Sequence, residues 1–364
     1  MNISVNVSHE KLSEILEGFY QIKRPVFIHG TIGIGKSSVV KQTAQRLADN
    51  MGLGWIEGEP DGEDKFGFID VRVTQLEPSD LRGLPTFEQV GDFKTTKWIT
   101  PNWLPKNPKS KGILFFDELN LATPSIQASC YQLINDRRIG DYVLPIGWLI
   151  VSAGNTTNDR SNVYELNSAL LNRFAHLELL PPNKDEWVKW ALENEIDTNI
   201  ISFIEFRPSL LFTFDKNAKS KAFATPRSWD FCSQLIKNAK TDENKFIFAS
   251  SCVGEGVATE LMAFIKLSKK IDINEILAKP EKVKEIKDIS LKFSLLGALA
   301  EKYRTDKKNL DKVVAVCPHL EAEFGILLLR YLKGTRKEFI ADLRKNKLWI
   351  DSLALEYGGY LRDD

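Results

Sequence analysis

What the 364-residue chain lacks narrows it first. Its four cysteines (Cys130, Cys232, Cys252 and Cys317) lie far apart, with no CxxC pair and no histidine at ligand spacing. That pattern argues against a disulfide framework or a zinc site and leaves buried free thiols as the expectation. Charge of one sign is not in excess. Lys plus Arg and Asp plus Glu both number 49, so no overall basic field recommends nucleic acid as the main partner, although a local basic groove is still open. No apolar run reaches the ~18 residues that a bilayer span needs, and the opening MNISVNVSHEKL has no basic segment followed by an apolar core. The chain therefore reads as cytoplasmic, with no membrane partner. Internal repeats and low-complexity tracts are missing too.

What is present is a hydrophobic content of 43% in a chain long enough for two packed units. Residues 25–29 (PVFIH) predict a short buried strand, followed by a glycine-rich turn and then by SSVVKQTAQRLA, whose apolar spacing suits a helix. Further short apolar runs fall at residues 67–73 (GFIDVRV), 113–116 (ILFF), 148–152 (WLIVS) and 176–180 (HLELL). Alternating with helical segments such as 124–135, they imply an α/β fold with a parallel sheet covered on both faces. From about Asn183 the character changes. NKDEWVKWALEN has a capping Asn and an apolar stripe, and nearly all that follows reads as amphipathic helix. Pro181 and Pro182 support a break there, since the residue before a proline avoids the helical region. The acidic, turn-rich stretch at residues 57–64 (EGEPDGED) predicts a solvated loop.

The chemistry concentrates in residues 30–37, GTIGIGKS. Gly30, Gly33 and Gly35 let the backbone turn tightly and aim N–H groups at phosphate oxygens, and the following helix offers its positive end. The expected nucleotide site comprises Gly30, Thr31, Ile32, Gly33, Ile34, Gly35, Lys36, Ser37 and Ser38. Lys36 would reach the β and γ phosphates of ATP, and Ser37 would ligate Mg²⁺. Such a loop needs a second carboxylate from the end of a neighbouring strand. ILFFDELN provides it: Asp117 for the metal, largely through water, and Glu118 to orient and deprotonate the attacking water.

With those two motifs in place, the chain resembles the AAA+ ATPases and, within them, the MoxR group of the helix-2-insert clade. The resemblance spans roughly residues 20–285 and adds, in order, VRVTQLEPSDLRGLPTF (71–87), DELNLATPSIQASCYQLI, VSAGNTTND, LNSALLNRF and ATPRSWDF (224–231). It implies a P-loop NTPase parallel-sheet sandwich in residues 1–182 with an insert near 74–104, an all-α lid over 183–285, and a C-terminal helical extension over 286–364. It also implies three further catalytic positions: Asn155 as the first sensor near the γ phosphate, Arg173 as an arginine finger offered to the neighbouring subunit's ATP, and Arg227 as the second sensor on the lid. A planar cation suits Arg173's part because charge spreads over the equatorial oxygens of the transferring phosphoryl group.

By resemblance the protein forms a homo-oligomer, a hexameric ring, that hydrolyses ATP to remodel a protein client, together with a separate partner bearing a von Willebrand factor A domain. A nucleic-acid motor or clamp is the alternative, encouraged only by basic pairs such as Arg137-Arg138 and Lys269-Lys270. The segment 286–364 goes beyond the compact lid of short MoxR proteins, and core packing is the expectation for its apolar stripes. In the insert, Phe93, Trp98 or Trp103 either faces a ring pore or packs within a hairpin.

Overall fold

The computed structural model describes residues 5–156, 164, 166, 168–218, 220–268, 270–336 and 338–361. Parts of the VSAGNTTND and LNSALLNRF segments (157–159 and 167) and Lys269 fall outside these. The chain divides into two compact units, Met1–Pro181 and Pro182–Asp364.

The first unit is built on seven parallel strands: β1 (Val5–Val7), β2 (Val26–His29), β3 (Gly54–Glu57), β4 (Lys65–Arg72), β5 (Lys111–Asp117), β6 (Gly147–Gly154) and β7 (Ala175–Leu179). Their order across the sheet is β1-β7-β2-β6-β5-β4-β3, and every neighbouring pair runs parallel. The central strands are apolar throughout because helices cover both faces: Val26, Phe27 and Ile28, like Ile113, Leu114, Phe115 and Phe116, are fully buried. Gly67 and Gly112 on adjacent strands make room for the Trp148 ring, which a Cβ at either glycine would meet within 3 Å. The indole N–H of Trp148 donates to Ser110 Oγ at 2.9 Å.

Two helices frame the nucleotide loop. His9–Ile22 is capped by the Ser8 side chain, and Lys36–Asn50 begins directly at the loop. Leu84–Val90 and Phe93–Ile99 form an antiparallel hairpin on which Phe93 and Trp98 are exposed. Trp103 behaves differently: its indole N–H donates to Asp80 O at 3.0 Å and its ring meets Phe116 edge-on.

The second unit is helical. Its first helix, Lys184–Glu193, starts with a reciprocal capping box: Asn183 Oδ1 accepts from Glu186 N, and Glu186 accepts from Asn183 N. One apolar core runs from Trp187 to Leu361. Within it, helix Ile289–Thr305 lies against Thr198–Phe206, where Thr198 Oγ1 donates to Gly297 O at 3.1 Å. The approach is close because residue 297 has no side chain; a Cβ there would come within 2.7 Å of Ser202 Oγ. Among the described residues no helix is long and apolar enough to cross a membrane. Cys130, Cys232 and Cys317 are buried free thiols and Cys252 is half-buried; burial pushes the Cys130 and Cys317 thiols up to about 12.

Candidate functional site

The candidate site lies at the carboxyl ends of β2, β5 and β6, where open α/β sheets place their ligands. Three glycines shape the loop after β2. Gly33 and Gly35 take φ of 75° and 96°, a left-handed region open to glycine at little steric cost. Gly30 needs its missing side chain for room, since a Cβ there would sit 2.8 Å from Ile34 Cδ1 and 3.0 Å from Leu179 O. The chain then enters its helix at Lys36.

Lys36 is 8% exposed. Its ammonium has three donors, and three acceptors lie within bonding distance: Gly30 O at 2.7 Å, Thr31 O at 3.0 Å and Asn155 Oδ1 at 3.0 Å. The structure thus brings the loop lysine and Asn155 together, although they are 119 positions apart in the chain. Ser37 Oγ donates to Asp117 Oδ2 at 2.8 Å, and Glu118 N donates to Asp117 Oδ1 at 3.0 Å. A hydroxyl and a carboxylate side by side are hard oxygen ligands of the kind Mg²⁺ takes. Among the described residues no group of three or more His, Cys, Asp or Glu is placed to hold a metal by itself, so Mg²⁺ here would draw most of its ligands from phosphate and water.

Glu118 is exposed and adopts φ 57°, ψ 33°. A non-glycine residue in this conformation costs of order 1–3 kcal/mol, and such outliers cluster at functional sites. Ile32 and Ser38 are exposed on the same loop and first turn, whereas Ile34 is buried. Arg173 is half-buried, with its guanidinium carbon 6.0 Å from the centroid of the Tyr131 ring, at the outer limit of a cation–π contact. Its Nε is buried and, among the described residues, without a hydrogen-bond partner. Arg227, in the other unit, is exposed at the second position of helix Pro226–Asn238, whose capping residue is Thr225.

Sequence reading passed over four side chains that hold this site together. Asn120 Nδ2 donates to Asn155 O at 2.8 Å, and its Oδ1 would lie 2.2 Å from a Cβ on Gly154, so glycine is required beside it. His9 Nε2 donates to Ile34 O at 2.7 Å and pins the loop from the preceding helix. His29 and His176 hydrogen-bond to each other at 3.0 Å. The available signal was rarity: the chain has only four histidines, and three of them meet at or beside the loop.

Burial, and then the nearby His176 and Lys36, hold the His29 imidazolium pKa down to about 4, with Glu178 pulling the other way. Unfolded histidine titrates near 6.5, so between pH 6.5 and 4 the unfolded chain binds more protons than the folded one. Stability is then full above about pH 6.5 and falls as pH drops toward 4. At pH 5 the loss attributable to His29 is about 1–2 kcal/mol, after allowing for partial solvent access. Urea unfolding at pH 7.5 and pH 5 should show this loss in the parent and not in His29→Phe; an equal loss in both would assign it elsewhere.

A glycine loop between a central strand and a helix, with the carboxylate and amide from neighbouring strand ends gathered around its lysine and serine, defines a P-loop NTPase fold of the AAA+ type. Residues 25–174 match the model of the AAA domain of the dynein-related subfamily. ATP binding and hydrolysis are the general properties of that domain, and AAA+ proteins generally assemble as rings. No curated protein matches the chain at a significant level. Among solved structures it is similar to PCH-2 of C. elegans, at 13% identity and a TM-score of 0.32 over 81% of this chain and 68% of that one. A point mutant of Thermotoga maritima RuvB gives 13% identity and 0.35 over 78% and 85%. NtrX from Brucella abortus in complex with ADP gives 9% and 0.34 over 96% and 68%. At these identities and scores the three likenesses carry no weight for function.

Proposed function

We propose that the protein is a Mg²⁺-dependent ATPase of the MoxR type that works as a hexameric ring and remodels a protein client, with a separate von Willebrand factor A domain protein as partner. The observation that carries the catalytic part is that two successive residues at the loop's end each bond a neighbouring strand end, Lys36 to Asn155 and Ser37 to Asp117. In this reading Lys36 exchanges a carbonyl for the β and γ phosphates, and the Ser37 and Asp117 oxygens hold Mg²⁺. The metal, when bound, supplies charge neutralisation at the phosphate oxygens. Glu118 orients the attacking water and takes its proton as the γ-phosphoryl group departs, and Asn155 helps to place that water. Arg173 meets the developing charge on a neighbour's ATP, and Arg227 serves as the second sensor, a part assigned by its motif. Residues 183–285 act as the lid.

The charge distribution supports a protein client over nucleic acid. Of the basic pairs that encouraged the alternative, Arg137 turns its guanidinium inward, with Nη2 donating to Pro145 O and Trp148 O, which removes it from any outward basic groove. Binding that weakens steeply with salt on added DNA would favour the alternative.

The direct test of the catalytic reading is Glu118→Gln. It should bind ATP as the parent does, because the lysine, serine and Asp117 remain, and it should lose hydrolysis by about 10²-fold or more because the water loses its base. Single-turnover phosphate release measures this. A rate within a few-fold of the parent would place the base elsewhere. The same variant, trapped with ATP, is the bait with which to capture the client.

A further inference from the structure

A chain of hydrogen bonds connects the nucleotide loop to the segment that carries Arg173. His29 is the last residue of β2, and the next residue, Gly30, gives its carbonyl to Lys36 Nζ at 2.7 Å. The His29 ring reaches His176 Nδ1 through Nε2 at 3.0 Å, with the two rings stacked at 5.3 Å between centroids and 27° between planes. His176 stands three positions after Arg173, and its other nitrogen, Nε2, lies 2.8 Å from Leu171 O. Leu171 closes the helical turn Ser168–Leu171 from which Arg173 emerges, and Arg173 N donates to Leu170 O at 2.9 Å.

The tautomers follow from the acceptors. A carbonyl only accepts, so His176 donates from Nε2, and in the tautomer with that one ring proton Nδ1 accepts from His29 Nε2–H. The contact holds the two rings in a fixed mutual direction. The aromatic side chains of Phe27 and Phe174 flank them, so the pair sits in a packed environment where a displacement of one ring is passed to the other.

At the loop end of this chain, phosphate would compete with the bonds that Lys36 makes here. All three donors of Lys36 are matched by Gly30 O, Thr31 O and Asn155 Oδ1, so contact with a phosphate requires the ammonium to leave at least one of them. Loss of the Gly30 bond frees the peptide that joins Gly30 to Thr31, one residue beyond His29. We infer that His29 and His176 are positioning residues that carry the nucleotide state of the P-loop to Arg173, so that each subunit's own ATP governs the finger it offers its neighbour. This inference rests on the trans-finger reading of Arg173. It adds a coupling between two sites, one subunit's own loop and the next subunit's ATP, and it names the residues through which the coupling runs.

The test is the ATP dependence of steady-state hydrolysis by assembled protein, measured beside ATP binding by titration and thermal melting. The parent should show a Hill coefficient above one. His29→Phe and His176→Phe keep the ring shape and lose the hydrogen bond; they should fall to a Hill coefficient of about one while binding ATP within a few-fold of the parent. His29→Gln retains an N–H donor at the position of Nε2 and should keep the cooperativity. A merely structural role would lower the melting temperature and activity without this split between the phenylalanine and glutamine variants. Parental cooperativity in a folded phenylalanine variant, its loss in folded His29→Gln, or a hyperbolic parent in assembled rings would each overturn the inference. Arg173→Ala, assayed alongside, separates the two levels: full turnover by that variant overturns the finger reading itself, whereas slow turnover with unchanged cooperativity in the phenylalanine variants overturns the relay alone.

Discussion

Arg173→Ala subunits should bind ATP and assemble, yet hydrolyse about 10³- to 10⁵-fold more slowly, the contribution a trans arginine makes in phosphoryl transfer. Its placement fits an outward task. The side chain is half-buried beside Tyr131, and among the described residues its Nε has no hydrogen-bond partner. A finger acting across a boundary can be complemented. Lys36→Ala subunits fail for the opposite reason, because they cannot hold their own nucleotide but still present an intact Arg173 to a neighbour. Mixing the two inactive variants should restore part of the ATPase activity, with a maximum at intermediate ratios. If the variants co-assemble and every mixture stays inactive, Arg173 does not act in trans.

Lys36→Ala by itself should abolish measurable ATP binding and leave the fold intact. Two charge-assisted hydrogen bonds to phosphate, at about 1.5–3 kcal/mol each, amount to roughly 10²- to 10⁴-fold in affinity. The structural cost is smaller. Removing the ammonium strips a donor from Gly30 O, Thr31 O and Asn155 Oδ1, a penalty of about 1–3 kcal/mol for a buried acceptor left unmatched and less where water reaches it. Titration calorimetry with ATP, beside circular dichroism, separates the two. Unchanged affinity would defeat the phosphate-loop assignment; a molten spectrum would show the lysine to be structural first.

Much of the sheet was legible because its central strands are buried on both faces and so read as uninterrupted apolar runs: ILFF within Lys111–Asp117 and WLIVS within Gly147–Gly154. The two edge strands were not. Val5–Val7 and Gly54–Glu57 span three and four residues, are largely exposed, and owe their conformation to a neighbour rather than to their own pattern. The loop lysine and serine and the acidic pair could be read because phosphate chemistry fixes residue types at short spacing. The left-handed backbone at Glu118 could not, since nothing in DELN asks a glutamate to adopt it. Neither could the His29–His176 bond, which joins positions 147 apart, nor Asn120, whose value lies in what it reaches across the sheet. Local chemistry is written locally, whereas partnerships between strand ends exist only once the sheet has formed.

The shared core of the helical unit bears on how this protein can be dissected. Because helix Ile289–Thr305 is seated on Thr198–Phe206 through the bare backbone of Gly297, the C-terminal stretch is not an appendage that trimming would remove cleanly. A chain cut near residue 285 would uncover the face of Thr198–Phe206 that carries Thr198 and Ser202, both buried in the intact protein, would divide a core that runs on to Leu361, and would be expected to come out of cells as aggregate. Anyone seeking a minimal ATPase, or grafting this unit onto another motor, must carry residues 182–361 as a single cassette.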